Sequence, residues 1–380
     1  MMYNSGNTQT MEKVPMERND WHLKFRPFQL EDLVGQKNVV DTLTQASKHD
    51  HFANSYFFVG TKGCGKTSSA RILATLMTCD NPVEGKLCGK CMACNTVPSD
   101  LAMDVIELDG AANGKVDNVQ ALIKGARWGP NHLKRKVYII DECHELTGKA
   151  VSALLKIVEE PPPYLTFIFC TTEPDKVIDT ITSRSQRFDF RKLLSKEIVG
   201  RLRYISDKEG VKVTDEALFI LAKKSRGSMR DAVVALEQIA TLAGDKEITE
   251  KHAQKCFGIA DRQIVFQMIN AMIKSDIPLV MDQVNDLIMS NVDTKNIAYE
   301  ISEAFRCIML LKANNGDCKW LDLPDHEISL LSKHAETVKL GQLDKMAKQF
   351  STLRKELEFS INERWVLEST LIHCIALLRK

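Results

Sequence analysis

The chain has 380 residues, room for about two or three domains whose cores need no covalent staples. Its 44% hydrophobic and 27% charged residues are ordinary for a soluble globular protein. Lys plus Arg number 51 against 50 for Asp plus Glu, so the net charge of +1 excludes polyanion binding driven by bulk charge and leaves only a local patch. No apolar run approaches the length of a membrane span, and residues 1–20 are polar, without the apolar centre of a signal peptide.

In chain order, residues 1–20 read as a disordered arm, with order starting near Trp21. Residues 21–192 alternate short apolar strands with helical patterns. The strands are expected at 56–59, 104–108, 137–140, 166–170 and 187–190, the helices at 66–77, 118–126, 148–159 and 175–181. This alternation predicts an α/β domain built on a mainly parallel, doubly wound sheet, with its site beyond the carboxyl ends of the strands. Strand patterns then stop. Residues 193–244 read as a small helical domain, with helices expected at 215–225 and 229–242. Residues 245–380 carry amphipathic repeats at 262–273, 277–289 and 343–357, with turn signals at 314–316 and 323–325. That last block predicts an all-helical bundle, a scaffold or an oligomerisation piece.

Gly60, Thr61, Lys62, Gly63, Cys64, Gly65, Lys66 and Thr67, followed by Ser68, fit the phosphate-loop pattern G-x-x-x-x-G-K-[ST]. The context fits too, since an apolar strand precedes the loop and a helical pattern follows it. Glycines let backbone N–H groups converge on phosphates, and the helix start adds positive potential. Lys66 is expected at the β- and γ-phosphates and the Thr67 hydroxyl on Mg²⁺. The bland alternative is a Gly-rich turn that binds nothing. Residues 137–142 form an apolar run ending in Asp141 and Glu142. Asp141 is expected to hold Mg²⁺ and Glu142 to polarise the attacking water. The alternative is two carboxylates placed at a helix start.

Cys79, Cys88, Cys91 and Cys94 form C-x8-C-x2-C-x2-C in a polar stretch with no core of its own. Four thiolates at this spacing suit structural Zn²⁺, whose binding would supply the segment's folding energy. Thiolates also ligate iron–sulfur clusters, so spacing leaves both open. The remaining cysteines sit in apolar segments as buried thiols, and the pattern points to a reducing cytoplasm.

Taken together these residues resemble the bacterial clamp-loader ATPases of the AAA+ class, the gamma/tau family of DNA polymerase III. The likeness begins at residues 24–36, KFRPFQLEDLVGQ, and runs through the phosphate loop GTKGCGKTS and the cysteine spacing. It continues through 107–117 (ELDGAANGKVD), 141–144 (DECH), 152–162 (SALLKIVEEPP), 171–174 (TTEP) and 227–232 (GSMRDA). It covers 21–290 well. It implies an AAA+ phosphate-loop core at 21–192 with a zinc-knuckle insertion at 79–94, a helical lid at 193–244 and a helical collar at 245–380.

The resemblance also implies roles. Arg26, Pro27, Val34 and Gly35 belong to the adenine and ribose pocket. Thr172 is the first sensor of the γ-phosphate, and Arg230 the second sensor, reaching from the lid. Arg184 is the finger that enters a neighbouring subunit's site. Each arginine could equally be surface charge. The family has Cys after the finger where this chain has Ser185, a change expected to matter only for packing. The chain ends soon after the collar-like block, which resembles the family's short, gamma-like form. A compact replisome such as a phage's fits that form.

The resemblance further implies an ATP-driven loader that opens a sliding clamp, admits primer–template DNA and releases on hydrolysis. ATP, Mg²⁺ and Zn²⁺ are its cofactors. Its partners are the clamp, DNA and copies of itself or other loader subunits, gathered through the collar. DNA would be gripped by its backbone at helix N-termini, at Asn113, Gly114 and Lys115 and at Thr147, Gly148 and Lys149. The rivals are another AAA+ machine, such as a branch-migration motor, and a non-hydrolysing scaffold subunit.

Overall fold

Five apolar runs form one parallel sheet: β1 (Ser55–Gly60), β2 (Val105–Asp109), β3 (Lys136–Asp141), β4 (Leu165–Thr171) and β5 (Gln186–Phe190), in the order β2-β3-β4-β1-β5. Each expected strand is present, within one residue at either end. The computed structural model describes residues 20–378 except 115, 315–320, 322 and 324. All but Asp20 of the arm expected at 1–20, Lys115, and residues 315, 316 and 324 of the two turn signals in the last block therefore lie outside the described residues.

Strands β1, β3 and β4 are covered on both faces, so their sequences are unbroken apolar runs instead of alternating ones. Successive side chains still divide between two cores. On one face Tyr56, Phe58, Ile139, Ile168 and Cys170 pack with Val39 and Leu43 of helix Lys37–Lys48 and with Ala70 and Leu73 of helix Lys66–Thr78. On the other, Phe57, Val59, Tyr138, Ile140, Phe167 and Phe169 pack with Val119 and Leu122 of helix Val116–Ala126 and with Leu154 of helix Gly148–Glu159. Each large side chain buried this way contributes about 1.5–3 kcal/mol. The register places Asp109 opposite Asp141, and Val59 opposite Thr171, so the carboxyl ends of four strands share one edge.

The helix expected at 175–181 is not continuous. A 3-10 turn at Pro174–Lys176 closes when the Val177 N–H donates to the Pro174 carbonyl at 3.0 Å. The β-branched pair Val177 and Ile178 then runs extended before a short helix at Asp179–Thr182. Helix Lys37–Lys48 had no expectation attached; its buried apolar positions, Val39 and Leu43, are too few to stand out in the sequence.

The chain divides into two compact units. One comprises the residues up to Lys192 with Ser228–Glu237, the other Leu193–Gly227 with Gln238–Lys380. The second unit is helical. Helices Arg262–Lys274, Ile277–Met289, Thr294–Ala313, Leu340–Phe359 and Glu363–Leu378 enclose a core that includes Met268, Val284, Ile301, Ile308, Met346, Leu357 and Leu371. Among the described residues no helix is long and apolar enough to cross a membrane.

Candidate nucleotide site

The loop from Gly60 to Ser68 leaves the end of β1 and turns into helix Lys66–Thr78. Two of its residues have positive φ, Gly63 at 73° and Gly65 at 108°, a region that a side chain enters only at a cost. Gly63 is doubly constrained, because a Cβ there would collide with the Ser228 hydroxyl. The buried Lys66 ammonium donates to the carbonyls of Gly60 at 2.8 Å and Thr61 at 3.0 Å. Its charge is thus held over the loop, where a phosphate group would sit. Burial pushes the Cys64 thiol up, so it stays a neutral packing residue in the loop wall.

The acid pair comes from β3. The Thr67 hydroxyl donates to an Asp141 carboxylate oxygen at 2.7 Å. A hydroxyl and a carboxylate joined at the lip of a phosphate loop form the donor set that a hard divalent cation takes. Glu142 is next, with φ 45°, the left-handed turn that swings its side chain off the strand axis. Its Oε2 accepts from the Thr172 hydroxyl at 3.2 Å. Four expected residues, Thr67, Asp141, Glu142 and Thr172, are therefore together on this edge. Burial, with the charges of Asp141 and Glu142 adding to it, pushes the neighbouring Cys143 thiol up to about 12.

Arg230 opens helix Met229–Ala243, whose start is seated on the phosphate loop: the Met229 N–H donates to the Gly63 carbonyl at 3.0 Å. The Arg230 side chain is exposed and has no hydrogen bond or ion pair among the described residues. Arg184 is apart from this group. It is exposed just before β5, paired with Glu159 at 3.0 Å and donating to the Thr180 carbonyl. Ser185, the departure from the family pattern, has its hydroxyl 2.6 Å from that of Ser55 and donates to the Ile181 carbonyl, a packing role.

Arg26, Pro27, Val34 and Gly35 lie partly buried in the segment before helix Lys37–Lys48, and Leu33 is the nearest neighbour a Cβ on Gly65 would meet, at 3.5 Å. Gln36, to which the sequence reading assigned no role, ties this segment down. Its buried amide donates to the Cys64 carbonyl at 3.3 Å and the Arg191 carbonyl at 2.8 Å, and accepts from the Arg191 N–H. Ser228 and His144 were also missed as site residues. Both lie inside motifs that were read, GSMR and DECH, but polar residues of these types carry no signal until their neighbours are known.

Gly114 and Thr147 meet: the Gly114 carbonyl accepts from both the Thr147 N–H and its hydroxyl, each at 3.3 Å. Thr147 caps helix Gly148–Glu159 by accepting from the Ala150 N–H. Thr147, Gly148 and Lys149 are exposed. The short helix Gly110–Asn113 is capped by Asp109, which accepts from the N–H groups of Ala111 and Ala112. Of the expected DNA contacts at 113–115 and 147–149, Thr147, Gly148 and Lys149 are thus at the surface, whereas Gly114 is buried against Thr147.

The four cysteines converge. Their sulfur atoms lie within 4.8 Å of one another, with Cys88–Cys94, Cys91–Cys79 and Cys94–Cys79 each at 3.8 Å. A zinc tetrahedron with bonds of about 2.3 Å has edges of about 3.8 Å, so the donor set fits zinc. Backbone N–H groups of Lys90 and Cys91 point at the Cys88 sulfur and hold its thiol down to about 6. The Lys134 ammonium donates to the carbonyls of Cys79 and Asp80 at 2.9 Å each, anchoring the knuckle to the turn before β3.

A parallel sheet with a phosphate loop after β1 and an acid pair after β3 defines a phosphate-loop nucleotide-binding protein of the AAA+ class. Three family models match consecutive stretches: "DNA polymerase III, delta subunit" at 35–194, "DNA polymerase III clamp loader subunit, ATPase lid domain" at 197–244, and "DNA polymerase III subunits gamma and tau domain III" at 248–379. The chain belongs to the DNA polymerase III gamma/tau family of clamp-loader subunits. It is 35% identical to the DNA polymerase III subunit tau of Bacillus subtilis over 77% of this chain and 52% of that one. It is 32% identical to a Mycobacterium tuberculosis subunit gamma/tau over 91% and 60%. It is 29% identical to the subunit gamma of Buchnera aphidicola over 94% and 98%. The chain thus spans about half the length of the first of these relatives. A Thermotoga maritima RuvB, titled a Holliday junction branch migration motor, shares 20% identity over 71% of this chain and 86% of that one at a TM-score of 0.47.

Proposed function

We propose that this chain is an ATP-hydrolysing subunit of a sliding-clamp loader, which opens the clamp and places it on primer–template DNA. The observation that carries the reading is the Thr67–Asp141 hydrogen bond at the lip of the glycine loop, with Glu142 and Thr172 joined beside it. Family membership supplies the direction of the work.

In this reading the loop N–H groups from 61 to 68 and the Lys66 ammonium bind the phosphates. Thr67 and Asp141 would hold Mg²⁺, which neutralises charge on the phosphate oxygens when bound. Glu142 orients and deprotonates the attacking water, and Thr172 fixes the carboxylate that does so. Arg230 reaches the same nucleotide from the helix seated on Gly63. Arg184, exposed just before β5, serves the site of an adjacent subunit, where it offsets charge that develops on the γ-phosphate. Residues 26–35 bound the base. Residues 193–244 act as lid and 245–380 as collar, the collar gathering copies or sister subunits. The segments at 113–115 and 147–149 meet the DNA backbone, and Zn²⁺ on the four cysteines is structural. The work is done in the cytoplasm.

The test is ATP turnover by the assembled loader with primed duplex and clamp. Turnover should rise with both present, and Lys66→Ala should abolish it. Stimulation by four-way junctions instead, or activity indifferent to the clamp, would overturn the loader assignment.

A further inference from the structure

His144 lies three residues beyond Asp141 with its side chain 5% exposed, and it plays no part in the reading above. Its surroundings are unusual for a packing histidine. Nδ1 is 3.0 Å from the Thr171 hydroxyl and 3.5 Å from Glu142 Oε2. Nε2 faces two further carboxylates, Glu145 at 3.3 Å and Glu173 at 3.5 Å, and Glu173 is itself paired with Lys176 at 2.9 Å. The Thr171 hydroxyl oxygen already accepts from the Glu173 N–H at 3.0 Å.

These contacts select one neutral tautomer. Nε2 faces only acceptors, so the ring proton belongs there. Nδ1 is then an acceptor, and the Thr171 hydroxyl, whose oxygen is taken by Glu173, donates to it. Left facing each other are the Nδ1 lone pair and Glu142 Oε2, two electron-rich atoms with no proton between them. The Glu142 carboxylate therefore leans on its other contact, the Thr172 hydroxyl. We propose that His144 is a positioning residue for nucleotide hydrolysis. Its neutral ring, closed into a circuit with Thr171 and Glu173 at the end of β4, keeps Glu142 on Thr172 and free to accept the proton of the attacking water.

The inference rests on the nucleotide-hydrolysis reading, and two measurements separate their failures. The first is steady-state ATP turnover by the assembled loader. His144→Phe should lower kcat about tenfold with KM for ATP within twofold. His144→Asn, which keeps a polar atom near the Nδ1 position, should recover part of kcat. Values of kcat for both variants that match the wild type overturn the positioning role; no turnover in the wild type overturns the hydrolysis reading instead. The second needs no turnover. Ring ¹⁵N NMR of the purified chain at pH 8 should show His144 as the Nε2–H tautomer, and Thr171→Val should shift it toward Nδ1–H. An Nδ1–H tautomer in the wild type, or no response to Thr171→Val, overturns the circuit.

Discussion

The nucleotide edge and the cysteine knuckle are both written as short motifs, yet they are built in opposite ways. The knuckle takes all four sulfurs from residues 79–94, and what the rest of the domain adds is support for the segment that carries them: Lys134 on the Cys79 and Asp80 carbonyls, the Gln29 side chain on the Leu87 backbone, and the pairs Lys86–Glu31 and Lys48–Glu84. The phosphate loop is nine residues of one turn, and everything that completes it comes from elsewhere: Asp141 and Glu142 from β3, Thr172 from the end of β4, Gln36 from the entry segment and Ser228 from a helix start. A motif that carries its own partners stands or falls locally. One that borrows them depends on the sheet register, and its chemistry can fail while the fold survives.

That contrast can be pressed with substitutions. The largest effect is expected for Arg184→Ala, which in a single chain breaks only surface contacts, the pair with Glu159 and the hydrogen bonds to Thr180 and Ser183. It should spare nucleotide binding and cut turnover of the assembled loader about 10³-fold or more. Turnover unchanged by this variant would leave Arg184 as surface charge. Glu142→Gln, with the carboxylate made neutral, should retain ATP and lower kcat about 10²–10⁴-fold; equal losses of binding and turnover would show that Glu142 shapes the site instead of the water.

For the knuckle, Cys91→Ser should release the metal, seen as zinc missing by elemental analysis and as early proteolysis within 79–94. The sheet's cooperative unfolding should be largely kept. A collapse of the whole first unit would break the comparison. The smallest effect is expected for Gln36→Ala, which strands the Cys64 and Arg191 carbonyls and should cost about 1–3 kcal/mol by denaturant titration, with a raised KM for ATP.

How far the sequence was legible follows the same division. The five strands were readable because β1, β3 and β4 are long unbroken apolar runs bounded by turns, and helix Gly148–Glu159 because its apolar positions recur every three or four residues. The break at Val177 and Ile178 was not, since nothing in a helical pattern marks where a 3-10 turn closes early. Lys66, Thr67, Asp141 and Glu142 were readable by type and spacing. Gln36, His144 and Ser228 were not, because a buried polar side chain declares itself only through the groups it meets across 27 to 165 positions of chain.

The sequence by itself determined the phosphate loop, the acid pair, the four sulfur ligands and the layered α/β order, because each is encoded in residues close along the chain. Only the tertiary structure decided which hydroxyl meets Asp141, which donor holds Glu142 and what surrounds His144. Those pairings are set by strand register and helix packing, where a shift of one residue would turn each side chain to the opposite face of the sheet.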